Sequence, residues 1–244
     1  MNIHIHPTHE ALSRHAAKLI IDILTQNPSA VLGLATGGTP KRTYELLVED
    51  HRKNGTSYQS VTAYNLDEYL GIPAEHETSY KTYMKRTLFD HIDIEPSQCF
   101  IPDGMTDDAD RECLDYEDII DTNPADIQIL GIGRNGHIGF NEPATSFDSL
   151  THRIMLDEKT RHDNARYFST LSDVPKEAIT MGIKSIMKAK HILLIASGKA
   201  KAAAIKAMLE GPVTPACPAS ALRNHDHVTV LLDEEAANHI KEAT

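Results

Sequence analysis

Short apolar runs alternate with amphipathic helical patterns along most of this chain, and that alternation restricts the fold more than any other feature. Ala11, Leu12, His15, Ala16, Leu19, Ile20, Ile23 and Leu24 recur at three- and four-residue spacing, which predicts a helix. The continuous run 31–35 predicts a buried strand, closed by the turn residues Thr36, Gly37, Gly38, Thr39 and Pro40. Pro40 suits the first turn of a helix over 40–53, where its missing N–H has no helical partner. Further strands are expected at 61–66, 127–130, 191–196 and 228–232, with helices at 79–92 and 199–209 and a short closing helix. Buried strands separated by helices make an α/β fold: three-layer and Rossmann-like, with a mostly parallel sheet and helices on both faces. In this pattern a single helix precedes the first strand. No Pro/Gly/Ser linker or internal repeat divides the chain, so residues 1–244 read as a single domain.

Charge limits the partners. With 24 Lys+Arg against 35 Asp+Glu, the net charge is −11 at neutral pH, and there is no basic run. Nucleic acid and anionic membrane surfaces are therefore excluded as bulk partners, and an anionic ligand would need a few local cations and backbone donors. Cys99, Cys113 and Cys217 are odd in number and form no CxxC pair, the pattern of reduced thiols in a cytoplasmic protein. The opening Met1-Asn2-Ile3-His4-Ile5-His6 lacks the basic start and apolar stretch of a signal peptide, and eighteen apolar residues never run together. His4-x-His6 and His225-x-His227 have the two-residue spacing of one strand face. Without a third ligand in a metal-binding frame they are expected to be solvated strand-edge histidines, and no metal is expected.

In open sheets of this kind ligands bind beyond the carboxyl ends of the strands. The turn-rich segments 36–40, 67–71 and 131–143 all fall at such ends. Gly131-Ile132-Gly133-Arg134-Asn135-Gly136 matches the dinucleotide fingerprint in letters alone. The fingerprint must open a helix, yet the chain continues His137-Ile138-Gly139-Phe140-Asn141-Glu142-Pro143, so no nicotinamide cofactor is expected. The 36–40 segment offers adjacent glycines, two hydroxyls and a helix N-terminus, either an anion-binding nest or a tight strand-to-helix turn. His137, with Asn135 and Glu142 close in sequence, is either an oriented proton shuttle or a buried histidine satisfied locally. Asp67 at the end of the 61–66 strand is either a base facing the crevice, or a helix cap or surface charge.

Taken together these strings are far more specific. Gly33-Leu34-Ala35-Thr36-Gly37-Gly38-Thr39-Pro40, Asn65-Leu66-Asp67-Glu68-Tyr69, Gly136-His137-Ile138-Gly139-Phe140-Asn141-Glu142-Pro143 and Leu209-Glu210-Gly211-Pro212 occur in that order. The pattern closely resembles the glucosamine-6-phosphate deaminase family over essentially the whole chain. The related 6-phosphogluconolactonases share the fold but do not usually continue as Phe140 to Pro143. The resemblance implies conversion of glucosamine 6-phosphate and water to fructose 6-phosphate and ammonia, in amino-sugar catabolism, without metal or organic cofactor. It assigns Asp67 to proton transfer between carbons 2 and 1, His137 to ring opening and Glu142 to orienting that histidine, with Asn135 in support. Thr36, Gly37, Gly38 and Thr39 would cradle the phosphate, and Arg166 and Lys201 would supply its cations. Lys199 is an alternative to Lys201, less well spaced from Glu210-Gly211.

The sequence departs from the family pattern in three places. Asn135 stands where many members carry an aspartate. His152 and Ile154 stand where the long, allosterically activated members carry an Arg and a Lys, and the chain stops near Thr244 without their C-terminal extension. The resemblance therefore implies no activation by N-acetylglucosamine 6-phosphate. Longer relatives are hexamers; here a homo-oligomer is possible, with monomer or dimer open. A lactonase-like hydrolase and a non-catalytic sugar-phosphate sensor are the competing readings.

Overall fold

The computed structural model describes residues 1–240, apart from the side chains at positions 159 and 163. The single-domain reading of 1–244 extends past this range, and residues 241–244 lie outside the described residues. A strand, β1 (Asn2–His6), precedes the first helix, α1 (His9–Gln26), so the first strand comes earlier than the apolar pattern predicts. Ile3 and Ile5 remain exposed on the sheet edge, 42% and 50% accessible, so this strand carries no buried apolar run, and only the His4-x-His6 spacing points to it. Thr8 caps α1 by accepting from the Ala11 N–H, and Leu12, Ala16, Ile20 and Leu24 form its buried stripe.

The remaining elements follow in order: β2 (Val31–Leu34), α2 (Gly38–Asn54), β3 (Thr62–Asn65), β4 (Asp67–Tyr69), α3 (Tyr80–Thr87), β5 (Cys99–Phe100), α4 (Ala109–Thr122) and β6 (Ile127–Leu130). After these come β7 (His152–Met155), α5 (Glu158–Asn164), β8 (Glu177–Thr180), α6 (Ile183–Ile186), β9 (Ile192–Ala196), α7 (Ala202–Glu210), β10 (Val228–Asp233) and α8 (Glu234–Ala237). The helix expected over 79–92 stops at Thr87, and a 3-10 turn covers Phe89–His91. Seven strands form a wholly parallel sheet in the order β1-β10-β9-β6-β2-β3-β5. The order reverses between β2 and β6, so the loops leaving those strands diverge and open a crevice there. Both β6 and β9 are buried along their whole length, which is why β9 reads as a continuous apolar run and β6 as one broken only by Gln128.

A second, three-stranded antiparallel sheet, β4-β8-β7, packs beside the carboxyl ends of the first. Asp67 pairs with Thr180 across β4 and β8, while the preceding Leu66 carbonyl accepts from the Met181 N–H (2.7 Å). Asp67 thus sits where the chain steps from one sheet to the other. A small apolar cluster of Tyr69, Ile72, Phe140, Leu156 and Ala178 fills the space under this second sheet. Among the described residues no helix is long and apolar enough to cross a membrane.

The paired histidines are not simple edge groups. His6 lies 3.0 Å from His15 of α1, ring nitrogen to ring nitrogen. His225 seats its ring on the Ala189 carbonyl (2.7 Å), and His227 stacks on His191 with centroids 3.9 Å apart. Both precede β10, because that strand begins only at Val228.

Candidate active site

At the end of β2 the chain turns sharply into α2. Gly37 adopts φ +95°, a left-handed conformation that a side chain would strain. Tyr83 donates its hydroxyl to the Gly37 carbonyl (2.6 Å), and the His9 ring donates to the Thr39 carbonyl (3.0 Å). Because the peptide is trans, holding the Gly37 carbonyl on Tyr83 directs the Gly38 N–H the opposite way. Gly37 is the N-cap of the 17-residue helix α2 and supplies no side-chain acceptor to its first N–H groups. The helix therefore presents its partial positive charge and unshared donors at this point, a geometry suited to an anion.

Thr36, Gly37, Gly38 and Thr39 line one end of a cleft of about 990 Å³, together with Arg166 and Lys201. Arg166 lies over the Tyr167 ring, 4.8 Å from its centroid, and the Tyr167 hydroxyl approaches within 3.9 Å of where a Gly38 side chain would start. Lys201 ends a 3-10 turn that leads into α7. That turn is fixed by Asp233 at the end of β10, whose carboxylate accepts from the Gly198 N–H (3.0 Å) and from Ser197. Lys201 lines the cleft, while Lys199 is absent from its wall.

His137 stands on the loop after β6. A side chain at Gly133 would begin 2.2 Å from the His137 Cε1, so glycine is required for the ring to lie against the loop's own backbone. The loop is further closed by the Gly133 N–H donating to the His137 carbonyl (2.8 Å) and the His137 N–H donating to Asn135 (3.2 Å). Glu142 Oε1 lies 3.4 Å from His137 Nδ1, within ion-pair range but longer than a hydrogen bond. Asn135 donates to the other carboxylate oxygen, Oε2, at 2.6 Å, and Thr160 of α5 donates to Oε1. Burial pushes the Glu142 carboxyl up, but His137, Thr160 and Asn135 outweigh it and hold it at about 2. Glu142 is thus a permanent anion behind the imidazole.

Asp67 faces the same cleft and is only 6% exposed. Burial, reinforced by the neighbouring Glu68 carboxylate, pushes its acid up to about 8. Glu68 points the other way and accepts from the N–H groups of Tyr69 (2.9 Å), Tyr80 (3.0 Å) and Lys81 (3.1 Å), which ties β4 to the start of α3. The 137–142 loop closes on Asp67: a side chain at Gly139 would begin 3.6 Å from Asp67 Oδ2. A carboxyl with its acidity weakened into the neutral range is a stronger base than an exposed one and is suited to moving a carbon-bound proton.

Eight of the ten sequence-assigned residues line the cleft: Asp67, His137, Thr36, Gly37, Gly38, Thr39, Arg166 and Lys201. Glu142 and Asn135 stand behind His137 instead, one bonded to the other. Sequence reading missed a hydroxyl chain along the opposite wall. The Tyr80 hydroxyl donates to Tyr69 (3.2 Å), and Asn164 of α5 also donates to Tyr69 (2.9 Å). Tyr69 falls inside the Asp67-Glu68-Tyr69 string and could have been found there; Thr160, Asn164 and Tyr80 carry no local signal. Among the described residues no cluster of three or more His, Cys, Asp or Glu is arranged to hold a metal ion.

Comparison with known proteins shows the family of the chain. The chain matches the family described as glucosamine-6-phosphate isomerases/6-phosphogluconolactonase over residues 7–231. It is 54% identical over 226 residues, 92% of either chain, to glucosamine-6-phosphate deaminase of Halalkalibacterium halodurans. It is 52% identical to glucosamine-6-phosphate deaminase 1 of Bacillus subtilis over 232 residues, covering 95% of this chain and 96% of that one. A solved structure of a monomeric glucosamine-6-phosphate deaminase superposes with a TM-score of 0.96 at 50% identity, over 98% of this chain and 100% of the other. The 6-phosphogluconolactonase of Trypanosoma brucei shares the fold, with a TM-score of 0.79 at 22% identity over 98% of both chains.

Proposed function

This chain belongs to the glucosamine-6-phosphate isomerase/6-phosphogluconolactonase family, and from that premise we propose that it converts glucosamine 6-phosphate and water to fructose 6-phosphate and ammonia. The observation that carries the reading is one cleft holding three separate devices: the 36–40 nest, the His137–Glu142 pair and the buried Asp67. A phosphate dianion enters the nest, with Arg166 and Lys201 as its cations. Its binding energy places the sugar against the other two devices.

His137 opens the ring by taking the proton of the anomeric hydroxyl and returning one to the ring oxygen. Glu142, fixed as an anion, orients the imidazole and stabilises its charged form. Asp67 then removes the proton on carbon 2 while the substrate's ammonium gives up a proton to the carbon-1 oxygen, leaving a neutral enolamine, and Asp67 delivers its proton to carbon 1. The product is a protonated imine at carbon 2. Water adds there, the carbinolamine expels ammonia, and the ketose remains. Asp67 must be ionised to start, and a cationic amine bound beside it favours that form.

The proposed role is in amino-sugar catabolism in the cytoplasm, where thiols such as Cys99, Cys113 and Cys217, all free here, stay reduced. The test is incubation with glucosamine 6-phosphate and assay of ammonia and fructose 6-phosphate, expected in equal amounts. Absence of both products would overturn the reading. Asp67→Asn is expected to abolish exchange of the carbon-2 proton while substrate still binds, and His137→Gln to slow turnover of the cyclic sugar most.

A further inference from the structure

Glu142 has more partners than a simple histidine-orienting carboxylate needs. Asn135 secures Oε2 from within the catalytic loop. The other oxygen, Oε1, is the one facing His137 Nδ1, and it also receives the hydroxyl of Thr160 from a different element, α5. Thr160 is itself buried, at 6% exposure. His137 Nδ1 is buried and makes no hydrogen bond, standing 3.4 Å from the oxygen that Thr160 occupies. Two donors therefore compete for one carboxylate oxygen, and in this structure the hydroxyl holds it more closely. The same helix sends Asn164 onto Tyr69, so α5 is held on both walls of the cleft.

We propose that Thr160 is a positioning residue for the His137–Glu142 pair, sharing Glu142 Oε1 with the imidazole and so limiting how closely that charge approaches the ring. The roles of His137 and Glu142 in turnover rest on the reading above; the shared oxygen does not. A hydroxyl that occupies Oε1 screens part of the carboxylate's charge and fixes its rotation. Without it, Oε1 is released to move closer to Nδ1 while Asn135 still holds Oε2, and the imidazolium gains a shorter, stronger partner. Other carboxyl, histidine and cationic groups that share the cleft with His137 are His9, Asp67, Glu77, Arg86, Arg134, His162, Arg166 and Lys201. None of these is altered by a change at Thr160, so a shift in the ring's titration reports on Glu142.

The experiment compares wild type, Thr160→Val and Thr160→Ser by NMR titration of the His137 ring, assigned by loss of its signal in His137→Gln. Thr160→Val is expected to raise the titration midpoint by about half a pH unit or more, about threefold in proton affinity, and Thr160→Ser to restore it. An unchanged midpoint in folded Thr160→Val, or Thr160→Ser behaving like Val, would overturn the proposal. If Thr160→Val does not fold, Thr160→Ala is titrated against Thr160→Ser with the same criterion. In parallel, Thr160→Val is expected to lower kcat with KM changed less than twofold, because the nest and its cations are untouched. Wild type failing to release ammonia would count against the proposed reaction, whereas the titration judges Thr160 independently.

Discussion

Replacing the buried acid in the cleft with its neutral isostere should make this protein more stable, and by an amount that grows with pH. Asp67 has an ordinary carboxyl pKa of 3.8 when unfolded and is pushed up to about 8 in the folded chain by burial and by Glu68. Between those values the folded state binds a proton that the unfolded state has lost, so stability falls as pH rises. Below 3.8 both states are protonated and there is no cost; above 8 both are ionised and the whole difference is paid. The native-state burden is about 2 kcal/mol at pH 5, about 4 at pH 7 and about 6 at pH 9. Asp67→Asn removes the ionisation and keeps the shape, so its stability advantage over wild type should climb along that curve. Urea unfolding of both proteins at pH 5, 7 and 9 measures it. An advantage that changes by less than about 1 kcal/mol across that range would refute the assignment of a strained, proton-holding base. The same titration should appear in the rate, with kcat/KM rising with pH toward a midpoint near 8, the value for the free enzyme.

Three further outcomes are expected. Gly133→Ala would place a methyl 2.2 Å from the His137 Cε1 and displace the ring, lowering kcat by about tenfold or more; a variant with full kcat would show that the ring's seat is unimportant. Arg166→Gln removes a cation from the nest, and loss of a charge-assisted hydrogen bond of about 1.5–3 kcal/mol lowers kcat/KM about ten- to hundredfold, mainly through KM; steady-state kinetics within twofold of wild type would refute it. Initial rates should follow a hyperbola with or without N-acetylglucosamine 6-phosphate, since His152 spends its ring on the Leu150 carbonyl (2.8 Å) and Ile154 offers no charge; a sigmoidal curve made hyperbolic by that compound would refute it.

Much of the large sheet was legible because β2, β3, β6, β9 and β10 are buried along most of their length, and burial on both faces concentrates apolar residues there, without a polar break in β2 and β9. The edge strand β1 was not, since Ile3 and Ile5 face solvent and make no pattern with a core. The second sheet was also hidden. Its strands read Asp67-Glu68-Tyr69, His152-Arg153-Ile154-Met155 and Glu177-Ala178-Ile179-Thr180, too short and too polar for periodicity to register.

The local motifs by themselves marked the 36–40 glycine turn, the histidine loop and Asp67 at a strand end, because glycine turns and strand termini are properties of neighbouring residues. Tertiary structure alone decided what those residues become. Asp67 is a weakened acid only because the second sheet and the 137–142 loop close over it. Glu142 is held as an anion partly by Thr160, 18 positions away, and Tyr69 meets Asn164 across 95. Burial and hydrogen bonding act through space, so they set acidity and alignment where sequence spacing carries no record of either.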